Sequence, residues 1–140
     1  MPNAITTALS GALAAQTRMA GSASNVANMR STGALPGKDG IIPAGAPQPN
    51  QAVRTVQHSV AGPDGQGMGT RAYTRPANPA VVAELSPDSP FANEDGMIAA
   101  PNVDPAGERV EQIAAGAAYK AALSVIKTQD EMERELGRLA

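Results

Sequence analysis

His58 is the one histidine of this 140-residue chain, and there is no cysteine. A general base or a metal ligand would be sought there first. A metal centre needs several converging ligands, and a nucleophilic triad needs a Ser or Cys with an acid at a recognisable spacing. His58 has neither and reads as an exposed strand residue. Carboxylates are more plentiful: Asp130, Glu131, Glu133 and Glu135 stand close together, as acid–base pairs or a cation site would. On a helix they fall on a polar face beside Arg134 and Arg138, with Asp130–Arg134 and Glu135–Arg138 spaced to pair. Asn93-Glu94-Asp95-Gly96 and Pro63-Asp64-Gly65-Gln66-Gly67 have the flavour of calcium or phosphate loops. Neither has the ligand spacing of an EF-hand or the Gly-Lys-Ser/Thr of a P-loop, so both read as tight turns. The amides of Asn25 and Asn28 suit a helix end or a neighbouring backbone. No enzyme, no cofactor and no metal site is expected from these groups.

The elements that position these residues are two terminal helical segments. Over about Asn3 to Arg30, Ile5, Ala12, Met19 and Val26 recur every seven residues, with Leu9, Gln16 and Ala23 interleaved. This 3-4 spacing predicts one continuous seam, as in a coiled coil. Gly11 and Gly21 each cost the helix about 1 kcal/mol relative to Ala. The second segment, Pro105 to Leu139, begins sharply. Asp104 suits an N-cap, Pro105 the first helical position and Glu108 the positive helix end. Val110, Ile113, Ala117, Ala118, Val125, Met132, Leu136 and Leu139 follow a winding stripe, with Tyr119, Leu123 and Ile126 beside it. Two apolar strips imply more than one helical neighbour.

Between the helices, residues 31–103 hold 10 of the 12 prolines and nine of the 14 glycines. Residues 34–51 read as irregular loop, and strands are expected over about 52–60, 70–75 and 79–85. The predicted fold is mainly α with a small β and irregular insert. Its two long terminal helices pack as a coiled coil, and a Pro/Gly-rich middle with a few short strands joins them. The predicted parts are 1–33, 34–103 and 104–140.

Composition bounds the rest. Of the apolar residues 28 are alanine, there is one Phe, and there is no Trp. Large buried side chains each contribute about 1.5–3 kcal/mol and Ala far less, so a lone chain is marginal and partners must complete it. A net charge of −2 gives no overall pull toward nucleic acid or an acidic membrane. Residues 1–30 hold two arginines and no acid, whereas 104–140 hold seven acids against five bases, so the ends attract. No run is long and apolar enough to span a bilayer. Residues 9–15 have signal-peptide-like apolarity but no basic flank and three nearby hydroxyl residues, and they read as mature helix.

At this point a family comes into view. Ala23-Ser24-Asn25-Val26-Ala27-Asn28 resembles the Ala-x-Asn-apolar-Ala-Asn close of the first helix in bacterial flagellar rod and hook proteins. Asp95-Gly96-Met97-Ile98-Ala99-Ala100-Pro101-Asn102-Val103-Asp104 resembles their Asp-Gly-x-apolar-x-x-Pro-Asn-Val run before the last helix. Gln112-Ile113-Ala114-Ala115, Ala118-Tyr119-Lys120-Ala121 and Lys127-Thr128-Gln129-Asp130-Glu131-Met132 resemble its helix core and ending. Residues 86–96 resemble the proximal-rod branch, and the likeness covers about 5–33 and 67–139. It implies a non-enzymatic structural subunit of the periplasmic proximal rod, exported without a cleaved signal. The subunit would pack helically with copies of itself and other rod subunits in a torque-transmitting shaft. The MS-ring/rod adaptor and the export apparatus are further implied partners. The expected assembly interface is Ile5, Leu9, Ala12, Met19, Ala23, Asn25, Val26, Asn28, Val110, Ile113, Ala117, Val125, Met132, Leu136 and Leu139. The alternatives are another axial subunit of the rod and hook family, or a soluble helical-hairpin adaptor or export chaperone.

Overall fold

A computed structural model describes residues 4–37 and 40–139 of the chain, so Asn3 lies outside the described residues. The element order is α1 (Ala4–Asn28), β1 (Val53–Ala61), β2 (Gly67–Pro76), β3 (Val81–Leu85), β4 (Met97–Pro101) and α2 (Pro105–Leu139). The helices are 25 and 35 residues long. β1 pairs with β2, and β3 with β4, in two separate two-stranded sheets.

Local chemistry explains the boundaries. Asp104 Oδ1 accepts from the Ala106 N–H at 3.0 Å and its carbonyl accepts from Glu108 N–H at 2.9 Å, which caps α2 ahead of Pro105. At the end of α1, Asn28 Nδ2 donates to the Ser24 carbonyl at 2.9 Å, and the Asn28 carbonyl accepts from Ser31 N–H at 2.9 Å. The orphan carbonyl of Asn28 is thereby satisfied. The β1–β2 reversal is the predicted glycine turn: Gly62 N–H donates to the Gln66 carbonyl at 2.8 Å, and Gly65 holds φ of 72°.

The chain divides into two compact units. One comprises Met1–Gly21, Thr55–Thr74 and Arg109–Ala140. In it α1 approaches α2 through small residues: a Cβ placed on Gly11 would lie 4.0 Å from the Ala122 Cβ, and one on Gly116 would lie 3.5 Å from the Met19 Cε. The hairpin is tied to α1 by Ser10, whose Oγ accepts from Thr70 N–H at 3.1 Å while donating to the Thr7 carbonyl at 2.7 Å.

The other unit comprises Ser22–Arg54 and Arg75–Glu108. Its core is β4, where Ile98, Ala99, Ala100 and Pro101 are all buried. β3 pairs antiparallel to it in the register Val81↔Pro101 to Leu85↔Met97. Gly33 bridges to Ala99 through two backbone hydrogen bonds of 2.9 Å. The described part of 34–51 has no helix or strand, as expected, yet its ends are anchored. Ala34 N–H donates to the Pro47 carbonyl at 3.1 Å and Asn50 N–H to the Ser31 carbonyl at 2.9 Å.

Two expectations are corrected. The strand β4 was not anticipated, because Met97–Pro101 is a short apolar run without alternation, buried on both sides. The predicted mainly-α architecture with a coiled coil gives way to two helices with two small antiparallel sheets. The large residues of the predicted seam do not interlock: Leu9, Met19, Val26, Val110, Ile113, Val125, Met132, Leu136 and Leu139 are exposed. A coiled coil buries such residues as knobs in holes. The buried residues of α1 are instead Ala12, Ala14, Ala15, Gly21, Ser22 and Asn25, with Ala8, Gly11 and Arg18 half-buried beside them, so of the predicted seam only the small Ala12 is buried. On α2 the inward side includes Glu108, Glu111, Ala115, Ala122 and Ile126, with Ala115 at 0% exposure.

Candidate functional site: exposed helix stripes and the polar contacts behind them

The best-organised polar group is centred on Asn25, which is 3% exposed. Its amide behaves like a neighbouring strand. Oδ1 accepts from the Val53 N–H at 2.8 Å and Nδ2 donates to the Val53 carbonyl at 2.7 Å. The same Nδ2 donates to Glu108 Oε1 at 2.6 Å, and the Ser22 hydroxyl donates to the Glu108 carbonyl at 3.1 Å. One side chain near the end of α1 thus fixes the start of β1 and the first turn of α2. An asparagine is required because it offers a donor and an acceptor in one plane.

A second contact joins the helices in the other unit. Arg18 Nε donates to Glu111 Oε1 at 2.6 Å and Nη2 donates to Oε2 at 2.9 Å, a bidentate pair. That hydrogen bonding, and then the adjacent charge, raises the Arg18 pKa and holds Glu111 below the ordinary carboxylate value of 4.5, against an opposing effect of burial. Nearby, Ala15, Gln16, Met19 and Tyr119 line an open apolar recess of about 180 Å³.

The residues first considered for chemistry do not converge. His58 is exposed on β1, with its ring edge-on to Tyr73 at 5.9 Å between centroids. Asp130 pairs with Arg134 at 2.9 Å and Glu135 with Arg138 at 2.9 Å, as their spacing predicted, while Glu131 meets Lys127 at 3.7 Å. Residues 93–96 close the β3–β4 loop as a turn. There Asn93 Oδ1 accepts from Asp95 and Met97 N–H groups at 3.0 and 2.8 Å. Among the described residues no three His, Cys, Asp or Glu side chains form a group able to hold a metal ion. Among the same residues no helix is long and apolar enough to cross a membrane.

The residues expected to form an assembly interface separate into two sets. Ala12 and Asn25 are buried, and Ile5 and Asn28 are half-buried. Leu9, Met19, Ala23, Val26, Val110, Ile113, Ala117, Val125, Met132, Leu136 and Leu139 are exposed. Val110 and Leu136 reach 67% and 66% exposure despite sitting in well-formed helix. Sequence reasoning missed the Arg18–Glu111 pair and the clamp on Val53. The charge asymmetry of the two ends was a signal for the first, and the polarity of Asn25 within a helical repeat was a signal for the second.

Comparison with known proteins accounts for so much exposed apolar surface. Residues 94–139 match the model of the family described as flagellar basal body rod FlgEFG protein C-terminal. That segment covers the β3–β4 loop end, β4 and all of α2. The chain is also 36% identical over 110 residues to the flagellar basal-body rod protein FlgC of Buchnera aphidicola subsp. Acyrthosiphon pisum (strain APS), spanning 79% of this chain and 76% of that protein. The chain belongs to the flagellar basal-body rod protein family, and its place is the basal body of the flagellum, as a structural subunit of the rod.

Proposed function

We propose that this chain is a FlgC-type subunit of the proximal rod, and that the outward stripes of α1 and α2 are where neighbouring axial subunits pack. The observation that carries this reading is the row of large apolar side chains left in solvent on both helices. Contiguous apolar surface of this kind marks interaction faces. The inner helix contacts are small or polar and cannot use those residues, so the stripes are free for other chains. Copies of this chain and other rod subunits are the proposed partners, with the MS-ring/rod adaptor at one end of the stack. Passage through the flagellar export apparatus belongs to the same reading. The role is mechanical and not catalytic. Helices of about 40 and 50 Å, at ~1.5 Å rise per residue, suit a shaft.

The test is Leu136→Ser combined with Val110→Ser, in cells lacking the native chain. Both positions are exposed, so the unfolding free energy of the purified monomer changes by less than about 0.5 kcal/mol. Rod incorporation and swimming are lost. Incorporation at the wild-type level would refute the stripes as packing surfaces.

A further inference from the structure

We propose that the outer face of the β1–β2 hairpin of one copy receives the β3–β4 loop of a second copy. Successive side chains of a strand alternate between faces, so Arg71, Tyr73 and Arg75 stand in a row on one face of β2. All three are exposed, while Thr70 and Ala72, of opposite parity, are half-buried. Thr70 is the residue whose N–H meets Ser10 of α1. Among the described residues neither arginine of this row has an ion-pair partner, and Tyr73 between them meets the His58 ring of β1 edge-on, so the row stands exposed as two guanidiniums about an aromatic ring.

The charges within the chain point to what covers it. The ion pairs among the described residues are Arg18–Glu111, Lys127–Glu131, Asp130–Arg134 and Glu135–Arg138. They engage most of the acids of α2 and none of the hairpin arginines. The acids left over are concentrated elsewhere: Glu84, Asp88, Glu94 and Asp95 are exposed, and no Lys or Arg occurs between Val81 and Asp104. The same loop exposes Leu85 (69%) and Phe91. An apolar pair flanked by four carboxylates complements an aromatic flanked by two guanidiniums in both charge and hydrophobicity. The loop is also held in one shape. Ser86 N–H donates to the Gly96 carbonyl at 2.9 Å, and Asn93 N–H to the Met97 carbonyl at 3.0 Å. Little ordering remains to oppose docking. Because the two patches differ, the contact is heterologous, and repeated copies extend a row and do not close as a dimer. This rests on the rod reading only in that copies meet inside a rod.

The experiment is a charge exchange in cells lacking the native chain, read by the amount of each variant in isolated basal bodies. One variant carries Arg71→Glu and Arg75→Glu, the second carries Glu94→Arg and Asp95→Arg, and the third carries all four. Circular dichroism and monomer unfolding first establish that each is folded. Each two-site variant is expected to fall at least tenfold in incorporation, and the four-site chain to recover most of it. Co-expression of the two two-site variants recovers it as well, since each hairpin then faces an opposite loop. Two-site variants that incorporate normally would overturn the contact while leaving the rod assignment standing. Loss in the two-site variants without recovery in the four-site chain would overturn the second copy as partner and indicate a different chain. Absence of the unsubstituted chain from basal bodies would instead refute the rod assignment itself.

Discussion

Replacing Asn25 by Ala tests whether one buried amide holds α1, β1 and α2 in register. Three hydrogen bonds are lost: two to the Val53 backbone and one to the Glu108 carboxylate. A neutral bond contributes about 1 kcal/mol and one to a charged group about 2, so the total is about 4 kcal/mol. Glu108 is half-buried and regains some hydration, which leaves about 3 kcal/mol. For a chain of 140 residues that is roughly 6–12 °C in Tm. Urea unfolding of the monomer measures it, and amide exchange at Val53 should accelerate more than exchange in β4. Asn25→Asp separates charge from size. It keeps an acceptor for the Val53 N–H but sets a second carboxylate against Glu108, which repels it, and against the Val53 carbonyl, which offers no proton. The new carboxyl therefore has a folded-state pKa above its unfolded value of about 3.9. Its stabilising contribution is present at low pH and disappears as pH rises through the folded-state pKa. At pH 7 this variant is less stable than Asn25→Ala, and adding Glu108→Gln restores part of the loss. A cost below about 0.5 kcal/mol for Asn25→Ala, or no relief from Glu108→Gln, would refute the clamp.

Gly33→Ala should destabilise by about 3 kcal/mol or prevent folding, because its Cβ would lie 2.5 Å from Pro49 N and 2.7 Å from the Gln48 carbonyl carbon, and backbone cannot move aside cheaply; thermal unfolding reads this directly. Gly69→Ala strains a φ of 107° and brings its Cβ against Ser10, with 3.0 Å to the Ser10 Cβ, so Ser10→Ala should recover only the steric part of the loss. The Arg18–Glu111 coupling in a double-mutant cycle should be about 0.5–1 kcal/mol, discounted for its solvent exposure. Glu111 has a lowered pKa in the folded state, so this coupling is fully present above pH 4.5 and fades as pH falls through the folded value. Coupling that persists undiminished near pH 2 would contradict the ion pair.

Much of the secondary structure was legible because its signals are local. Asp104-Pro105 marks the start of α2 by cap chemistry that needs no tertiary context. The glycines of 62–67 mark the hairpin turn for the same reason. β4 was hidden because five residues without alternation carry no period, and its burial depends on Gly33, distant in sequence. The inner helix faces were hidden for a different cause. Hydrophobic periodicity finds apolar rows but is silent on what covers them. Here most large residues of the rows it found are exposed, Ile5 and Ile126 being half-buried, while the faces turned inward are built mainly from Ala, Gly, Ser, Asn and an Arg–Glu pair. Those residue types have little apolar contrast, so periodicity did not single them out. The clamp at Asn25 was half-legible: the amide was recognisable as a backbone reader, but its target at Val53 was not.

That choice of small and polar inward residues has a mechanical meaning. Had Leu9, Met19 and Val26 faced α2, the chain would have consumed its large apolar residues in holding itself together. With Gly11, Ala15 and Ser22 turned inward instead, the helices come close at small cost in side-chain volume, and directional contacts at Arg18 and Asn25 supply the specificity. The apolar residues remain outside, where burial at about 1.5–3 kcal/mol each becomes available to association and not to folding. The two properties are thereby separable by mutation. On the proposed packing, substitutions on the inward face change the monomer, whereas substitutions on the outward stripes leave it unaltered and change what it joins. The proposed packing requires that separation, because surface completed within the monomer could not drive its incorporation.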